Sequence, residues 1–277
     1  MQTDRKNQSM PSMISSFSQR TTSRRGLLSR SAKLAGAGAL AAMAASGTLG
    51  SVLAHNERPP DCEFESDIEV LNYALTLEHL EYNFYLMGQE LFGADDFKLA
   101  FSGRGILGRD LRNYGFSVNS GERINMLFND IRDHELVHVQ TLQSAITSLG
   151  GTPVRACTYD FGFPEGNNKR GRDGRLVFGN DPEAVAQYIA IAQALENTGV
   201  MAYTGAINCL LNADLIEAGA TIATVEARHA AFLNLLNADS PFPAAFDTPK
   251  TKCEIFAIAA QFIVDCPDEV LALFSDC

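Results

Sequence analysis

Apolar residues recur at helical spacing through most of the chain beyond residue 66, and polar breaks divide them into five segments. From Asp67 to Phe92 the positions Ile68, Leu71, Leu75, Leu77, Leu80, Phe84, Leu86 and Leu91 predict a first helix, ended by Gly93-Ala94-Asp95-Asp96. Gly93, Gly103, Gly105, Gly108 and Gly115 then mark an irregular insertion with room for a short helix. A second helix follows, with Ser120 able to cap it and Gly150-Gly151 closing it. Its apolar positions are Ile124, Leu127, Phe128, Ile131, Val137, Leu142 and Ile146. Residues 152–180 form the longest break, with Pro153, Pro164 and a basic knot at Lys169, Arg170 and Arg172. Asp181-Pro182-Glu183 starts a third helix running to about Leu211, and a fourth runs from about Asp214 to Leu236. Ser240-Pro241-Phe242-Pro243 breaks the pattern, and the capping box Thr251-Lys252-Cys253-Glu254 opens a fifth helix reaching to about Val264. Few stretches alternate with period two, so the fold class is all-α.

The N-terminus has a different character. Ser23-Arg24-Arg25-Gly26-Leu27-Leu28 is a twin-arginine pattern, followed by an Ala/Gly-rich run from Ala32 to about Ala45 and a cut site after Val52-Leu53-Ala54. This layout resembles a bacterial twin-arginine export signal and predicts passage through that machinery to the periplasm or the exterior. A membrane anchor is disfavoured by the shortage of Leu, Ile and Phe. An organelle transit peptide is the other alternative, since the segment is rich in Arg and Ser and poor in acids. The resulting organisation is a signal segment over 1–54, a linker over 55–66, a helical domain over 67–265 and a tail over 266–277.

Charge separates the two parts further. Residues 1–54 hold seven Lys/Arg and one acid; removing them from totals of 22 and 33 leaves 15 basic and 32 acidic residues, a net of −17. A body this acidic repels a phosphate backbone, which argues against nucleic acid as a partner. Six cysteines, Cys62, Cys157, Cys209, Cys253, Cys266 and Cys277, all follow the cut. None forms C-x-x-C, and an even number in an exported chain is compatible with disulfides of undetermined pairing. Cys209 lies in a helical pattern and is open to a second reading as a small buried apolar residue.

The chemistry-bearing residues repeat between the two helix pairs. The first helix carries Glu78 with Tyr85 seven positions on, and the third carries Glu196 with Tyr203 at the same spacing. The second contains Glu135-x-x-His138 and the fourth Glu226-x-x-His229. Positions i and i+3 leave the same face of a helix one turn apart. One Glu from each of two helices plus E-x-x-H from each of the other two is the donor set of di-iron and di-manganese carboxylate bundles. Carboxylates suit hard divalent ions and neutral imidazole adds a terminal donor to each. Tyr85, Tyr203, Glu81 and His134 are candidates to steady these donors, and Glu81 is also the alternative donor on the first helix.

His134-Glu135-Leu136-Val137-His138 also spells H-E-x-x-H, the zinc-protease motif. Its confirming context is missing: no third donor follows His138, and Val225 stands where the second E-x-x-H would need a counterpart of His134.

With these residues in view, the chain resembles the ferritin-like superfamily, and most closely the exported ferritin-like domain proteins similar to plant desiccation-related proteins. The stretch Leu71-Asn72-Tyr73-Ala74-Leu75-Thr76-Leu77-Glu78-His79-Leu80-Glu81-Tyr82-Asn83-Phe84-Tyr85 carries the resemblance, with Glu135-x-x-His138, Glu196 and Glu226-x-x-His229. It covers about residues 62–265. The resemblance implies a ferritin-like four-helix bundle with a long crossover and an additional C-terminal helix. It implies two divalent ions, iron or manganese, held by Glu78, Glu135, His138, Glu196, Glu226 and His229, with Glu135 and Glu226 as bridges. The expected chemistry is oxidase, ferroxidase or manganese-catalase-like, with oxygen or peroxide as the small-molecule oxidant; the alternative is a non-catalytic metal-binding or desiccation-protective protein. One departure stands out: Glu78 and Glu135 are 57 residues apart, Glu196 and Glu226 only 30. The insertion at 93–120 makes the difference, and reads as a lid, a contact in a homo-oligomer or a segment without function.

Overall fold

The computed structural model describes residues 57–101, 120–162 and 182–277, together with the short strands Lys169–Arg170 and Leu176–Val177. The twin-arginine segment and most of the 93–120 insertion lie outside the described residues. Helix α1 spans Asp67–Leu91, α2 Ala94–Ala100, α3 Ser120–Ser148, α4 Pro182–Ala206 and α5 Ala213–Leu236. After them come α6 (Lys252–Ala259) and α7 (Asp268–Leu273). The long helices α1, α3, α4 and α5 form a ferritin-like four-helix bundle with a crossover between α3 and α4 and extra helices at the C-terminus. Among the described residues no helix is long and apolar enough to cross a membrane.

Local chemistry sets the helix ends. Ser66 caps α1, its hydroxyl accepting from the Glu69 amide at 3.1 Å, and Asp67 and Glu69 place negative charge in the first turn. Asn212 caps α5 through the Asp214 amide at 2.9 Å. At the end of α3, Gly150 takes φ +79° and the Gly151 amide donates to the Ile146 carbonyl at 2.9 Å, a left-handed close that a glycine adopts without strain. Asp67 also accepts from the Leu211 and Asn212 amides at 3.1 and 3.0 Å. The start of α1 thereby pins the α4–α5 turn.

Burial explains why α1 is apolar nearly all round: Val70 to Glu81 are buried without interruption. At one end of the bundle Phe84, Phe92, Phe97, Phe128 and Tyr188 form an aromatic cluster, with Phe92 and Tyr188 stacked at 5.1 Å. Phe97 brings α2 onto this cluster, so one face of the described part of the insertion, Phe97, Ala100 and Phe101, is core.

Two helices end earlier than their apolar patterns suggest. The third expected helix stops at Ala206, continues as a 3₁₀ turn over Ile207–Cys209 and becomes extended at Leu210. The pull of Asp67 on the next amides, together with the Cys62–Cys209 disulfide, redirects the chain there. The fifth expected helix stops at Ala259; Ala260–Phe262 is a 3₁₀ turn and Ile263–Asp265 a strand, β4. β4 pairs antiparallel with β1, Thr158–Tyr159, which gives its backbone partners outside a helix. β2, Lys169–Arg170, pairs antiparallel with β3, Leu176–Val177.

All six cysteines are paired: Cys62–Cys209, Cys157–Cys266 and Cys253–Cys277. Cys209 is therefore a disulfide partner, which corrects the reading of it as a free apolar residue. The first bridge closes a separation of 147 residues and ties the segment before α1 to the end of α4. The second flanks the β1–β4 ladder. The third fastens the last residue to α6, and α7 in the tail packs Val270 and Phe274 into the core.

Candidate metal centre

Each long bundle helix sends a fully buried carboxylate inward, and α1 adds a second, Glu81, at 3 % exposure. Glu78 from α1, Glu135 from α3, Glu196 from α4 and Glu226 from α5 are all 0 % exposed, with His138 and His229 buried beside them. Such burial of acids far from water is costly unless cations or donors compensate.

The donor atoms fall into two groups, Glu78, Glu135, His138 and Glu226, and Glu135, Glu196, Glu226 and His229. Within each group they lie within 4.8 Å of one another. Glu135 and Glu226 belong to both, so the two groups form a candidate carboxylate-bridged dimetal centre. His138 Nδ1 stands 3.2 Å from Glu78 Oε2 and 3.1 Å from both Glu135 Oε2 and Glu226 Oε1. His229 Nδ1 stands 3.1 Å from Glu135 Oε1 and 3.2 Å from Glu196 Oε2. Donors about 2.1 Å from one octahedral ion are themselves about 3 Å apart, so these separations suit a shared cation.

Hydrogen bonding gives the same answer. Both Glu226 oxygens and Glu135 Oε1 are buried without a hydrogen-bond partner. His138 and His229 approach Glu226 Oε1 and Glu135 Oε1 closely, but without the alignment of a hydrogen bond. The other two carboxylates are anchored by tyrosines. Tyr203 Oη donates to Glu78 Oε1 at 2.5 Å, and Tyr85 Oη donates to Glu196 Oε1 at 2.6 Å. The terminal carboxylates thus have fixed donors, while of the four oxygens on the shared ones only Glu135 Oε2 has a partner, His138 Nδ1 at 3.1 Å. A cation fits that pattern.

The electrostatics of the metal-free pocket follow from crowding. Burial raises Glu226 well above the usual carboxylate range, and Glu135 and Glu196 add to it. Burial, then the Glu196 charge, pushes Glu135 up to about 7. Burial works in the same direction on Glu78, but the charge and hydrogen bond of His138 outweigh it and hold Glu78 low. Burial would lower both imidazoles; the carboxylates reverse this, with Glu196 and Glu135 raising His229 to about 11 and Glu78 leading the rise of His138. Protons on the imidazoles are the internal countercharge that divalent ions would replace. Burial and the adjacent glutamates keep Tyr85 and Tyr203 protonated donors.

The remaining candidates take separate places. His134 is exposed and does not join His138 around a common point; its Nδ1 meets His229 Nε2 at 3.0 Å with the rings stacked. The two histidines that a zinc-protease reading would pair therefore face different neighbours. Glu81 is buried at 3 % exposure, and the charges of the clustered glutamates add to burial in raising it well above the usual carboxylate range. His79 is buried and turns Nε2 to the Val154 carbonyl at 3.3 Å. Gly199 was invisible to pattern reading: a Cβ there would lie 3.0 Å from Glu81 Oε1 and 3.2 Å from Glu226 Oε2.

An all-α bundle with four carboxylates and two imidazoles in two donor groups that share Glu135 and Glu226 defines the class: a carboxylate–imidazole four-helix protein with a candidate dinuclear centre. The chain belongs to the ferritin-like domain family, whose sequence model matches residues 66–238. No curated protein matches the chain.

Proposed function

We propose that this is an exported ferritin-like protein in which Glu78, Glu135, His138, Glu196, Glu226 and His229 hold two divalent ions, iron or manganese, for oxygen or peroxide redox chemistry. The observation that carries the reading is the sharing of Glu135 and Glu226 by both donor groups, with buried oxygens that no protein donor satisfies. Two such ions, when bound, supply paired one-electron steps to an oxygen or peroxide substrate. The protein's own part is positional. Tyr203 and Tyr85 fix Glu78 and Glu196 through their hydroxyls, His134 orients the His229 ring, and the surrounding apolar core keeps bulk water from the carboxylates. Export is supported by the twin-arginine pattern and by the pairing of every cysteine.

Elemental analysis of purified protein with absorption spectra taken anaerobically and after oxygen tests this reading. About two iron or manganese ions per chain are expected, and a metal content well below one would sink it. A non-catalytic metal-binding or desiccation-protective role is the second reading, favoured by the near-complete burial of all six ligands. Oxygen evolution from added peroxide, or oxidation of added ferrous iron, selects catalysis; inertness of the fully loaded protein selects the second reading.

A further inference from the structure

The bundle is filled differently on the two sides of the carboxylate cluster. On the Tyr85 side Phe84, Phe128 and Tyr188 are fully buried and pack ring against ring. On the Tyr203 side each long helix contributes small residues instead: Ala74 from α1, Ala145 from α3, Ala202 and Ala206 from α4, Ala218 and Gly219 from α5. Between them lies a cavity of about 30 Å³. Its inner wall adjoins the donors. Leu77 precedes Glu78, Thr141 follows His138 by three residues, and Ile222 precedes Glu226 by four, so on three helices the lining comes within about one turn of a clustered donor. On α4 the lining residue is Tyr203, whose hydroxyl donates to Glu78 Oε1. One side chain therefore touches both the cavity and a donor carboxylate. The outer wall, Ile207, Ala218 and Gly219, is only half-buried and lies at the α4–α5 turn.

The lining decides what can enter. Its side chains are hydrocarbon apart from the hydroxyls of Tyr73, Thr141 and Tyr203, and the last of these is already given to Glu78. A buried water needs about two to four polar partners. Water and hydrogen peroxide would lose hydrogen bonds here, whereas dioxygen has none to lose. At about 10–15 Å³ for each water-sized body, the space suits a diatomic molecule. Resting on the dimetal reading for its purpose, we infer that this cavity is a dry binding site for a small non-polar molecule, dioxygen in the working protein, and that it serves the Glu78–His138 side of the centre. Hydrogen peroxide must arrive by another route.

The test of the site is xenon, titrated into the purified full chain and followed through the alanine methyl resonances. Saturable shifts confined to Ala74, Ala145, Ala202 and Ala206 are expected. Gly219→Leu should abolish them: a Cβ there meets nothing nearer than Ile207 Cδ1 at 3.8 Å, so the added side chain enters open space. Ala218→Leu, on the half-buried outer wall, makes the same comparison if the first variant does not fold. The test of the purpose is the ferrous-loaded protein, oxidised either by dioxygen or by anaerobic peroxide. Plugging the cavity should lower the ratio of the dioxygen rate to the peroxide rate by about fivefold or more. Absence of xenon shifts in the wild type, or a ratio within about twofold of wild type in the plugged variants, overturns the assignment. Failure of the underlying dimetal reading looks different: the wild type then takes up no pair of ions, while xenon still decides whether the cavity binds.

Discussion

The half-bundle α1/α3 and the half-bundle α4/α5 present the same donor pattern on unequal connections. Between α1 and α3 lie residues 92–119, including helix α2; between α4 and α5 lie only 207–212. The bundle tolerates this because the connections leave the helix axes at the ends, while the clustered carboxylates and imidazoles sit mid-helix. The tyrosines show how far the halves depend on each other. Tyr85 lies on the helix of Glu78 but donates to Glu196, and Tyr203 lies on the helix of Glu196 but donates to Glu78. Each half therefore steadies the other's unshared carboxylate, and each donor group draws on both halves. A repeat built this way cannot form half a site.

The strongest way to break the comparison is to remove a shared ligand. Glu135→Ala and Glu226→Ala are expected to lower metal content from about two ions per chain to less than one, because each carboxylate belongs to both groups. Plasma emission analysis measures this. Removing an unshared ligand, as in Glu78→Ala, should leave about one ion. If shared and unshared ligands lose equal amounts, the bridging assignment fails.

Next in size is the covalent tie between the halves. Cys62→Ser with Cys209→Ser removes the bridge from the segment before α1 to the end of α4. A loss of about 2–5 kcal/mol in stability is expected, read by denaturant unfolding. The Cys253–Cys277 bridge spans a separation of only 24 and joins the tail to α6, so its removal should cost less and leave metal binding unchanged. Smaller again are the tyrosines. Tyr85→Phe and Tyr203→Phe each remove one hydrogen bond to a buried carboxylate, expected to cost about 1.5–3 kcal/mol. Comparable losses would show that the halves are energetic as well as geometric equivalents; a much larger loss for one would locate the dominant half.

Much of this arrangement is legible in the residue pattern, and the rest is hidden for identifiable reasons. Helices α1, α3 and α5 declare themselves by long apolar periodicity, whereas the caps at Ser66 and Asn212 emerge only with the structure. The candidate donor set shows because Glu-x-x-His occurs twice. The crossed tyrosine bonds do not show, since sequence spacing relates Tyr85 to Glu78 and says nothing of the facing helix. Gly199 is silent because the informative feature is an absent side chain, whose meaning depends on Glu81 from α1. The six residues of α7 are too few for a period to emerge. The fifth helix is overdrawn because its apolar run continues past Ala259 into a strand, and only the partner Thr158–Tyr159, about a hundred residues away in sequence, stops it.

A pH dependence separates metal-free from metal-loaded protein. In the metal-free pocket Glu135 rises from its usual 4.5 to about 7 and His229 from 6.5 to about 11. A raised folded-state value gives stability that is full below the unfolded value and is lost as pH climbs through the folded one. The metal-free protein therefore loses the Glu135 contribution between pH 4.5 and about 7, and the His229 contribution from 6.5 up towards 11. Metal binding has the opposite slope, because Glu135 and His229 must shed those protons to act as ligands. More protons are released per ion below pH 7 than above it, and affinity falls as pH falls. Calorimetric melting of both forms at pH 5.5, 7 and 8.5 should show, to within about 1 °C, a gap that widens with pH. A constant gap would mean that the buried imidazoles are not the countercharge the ions displace.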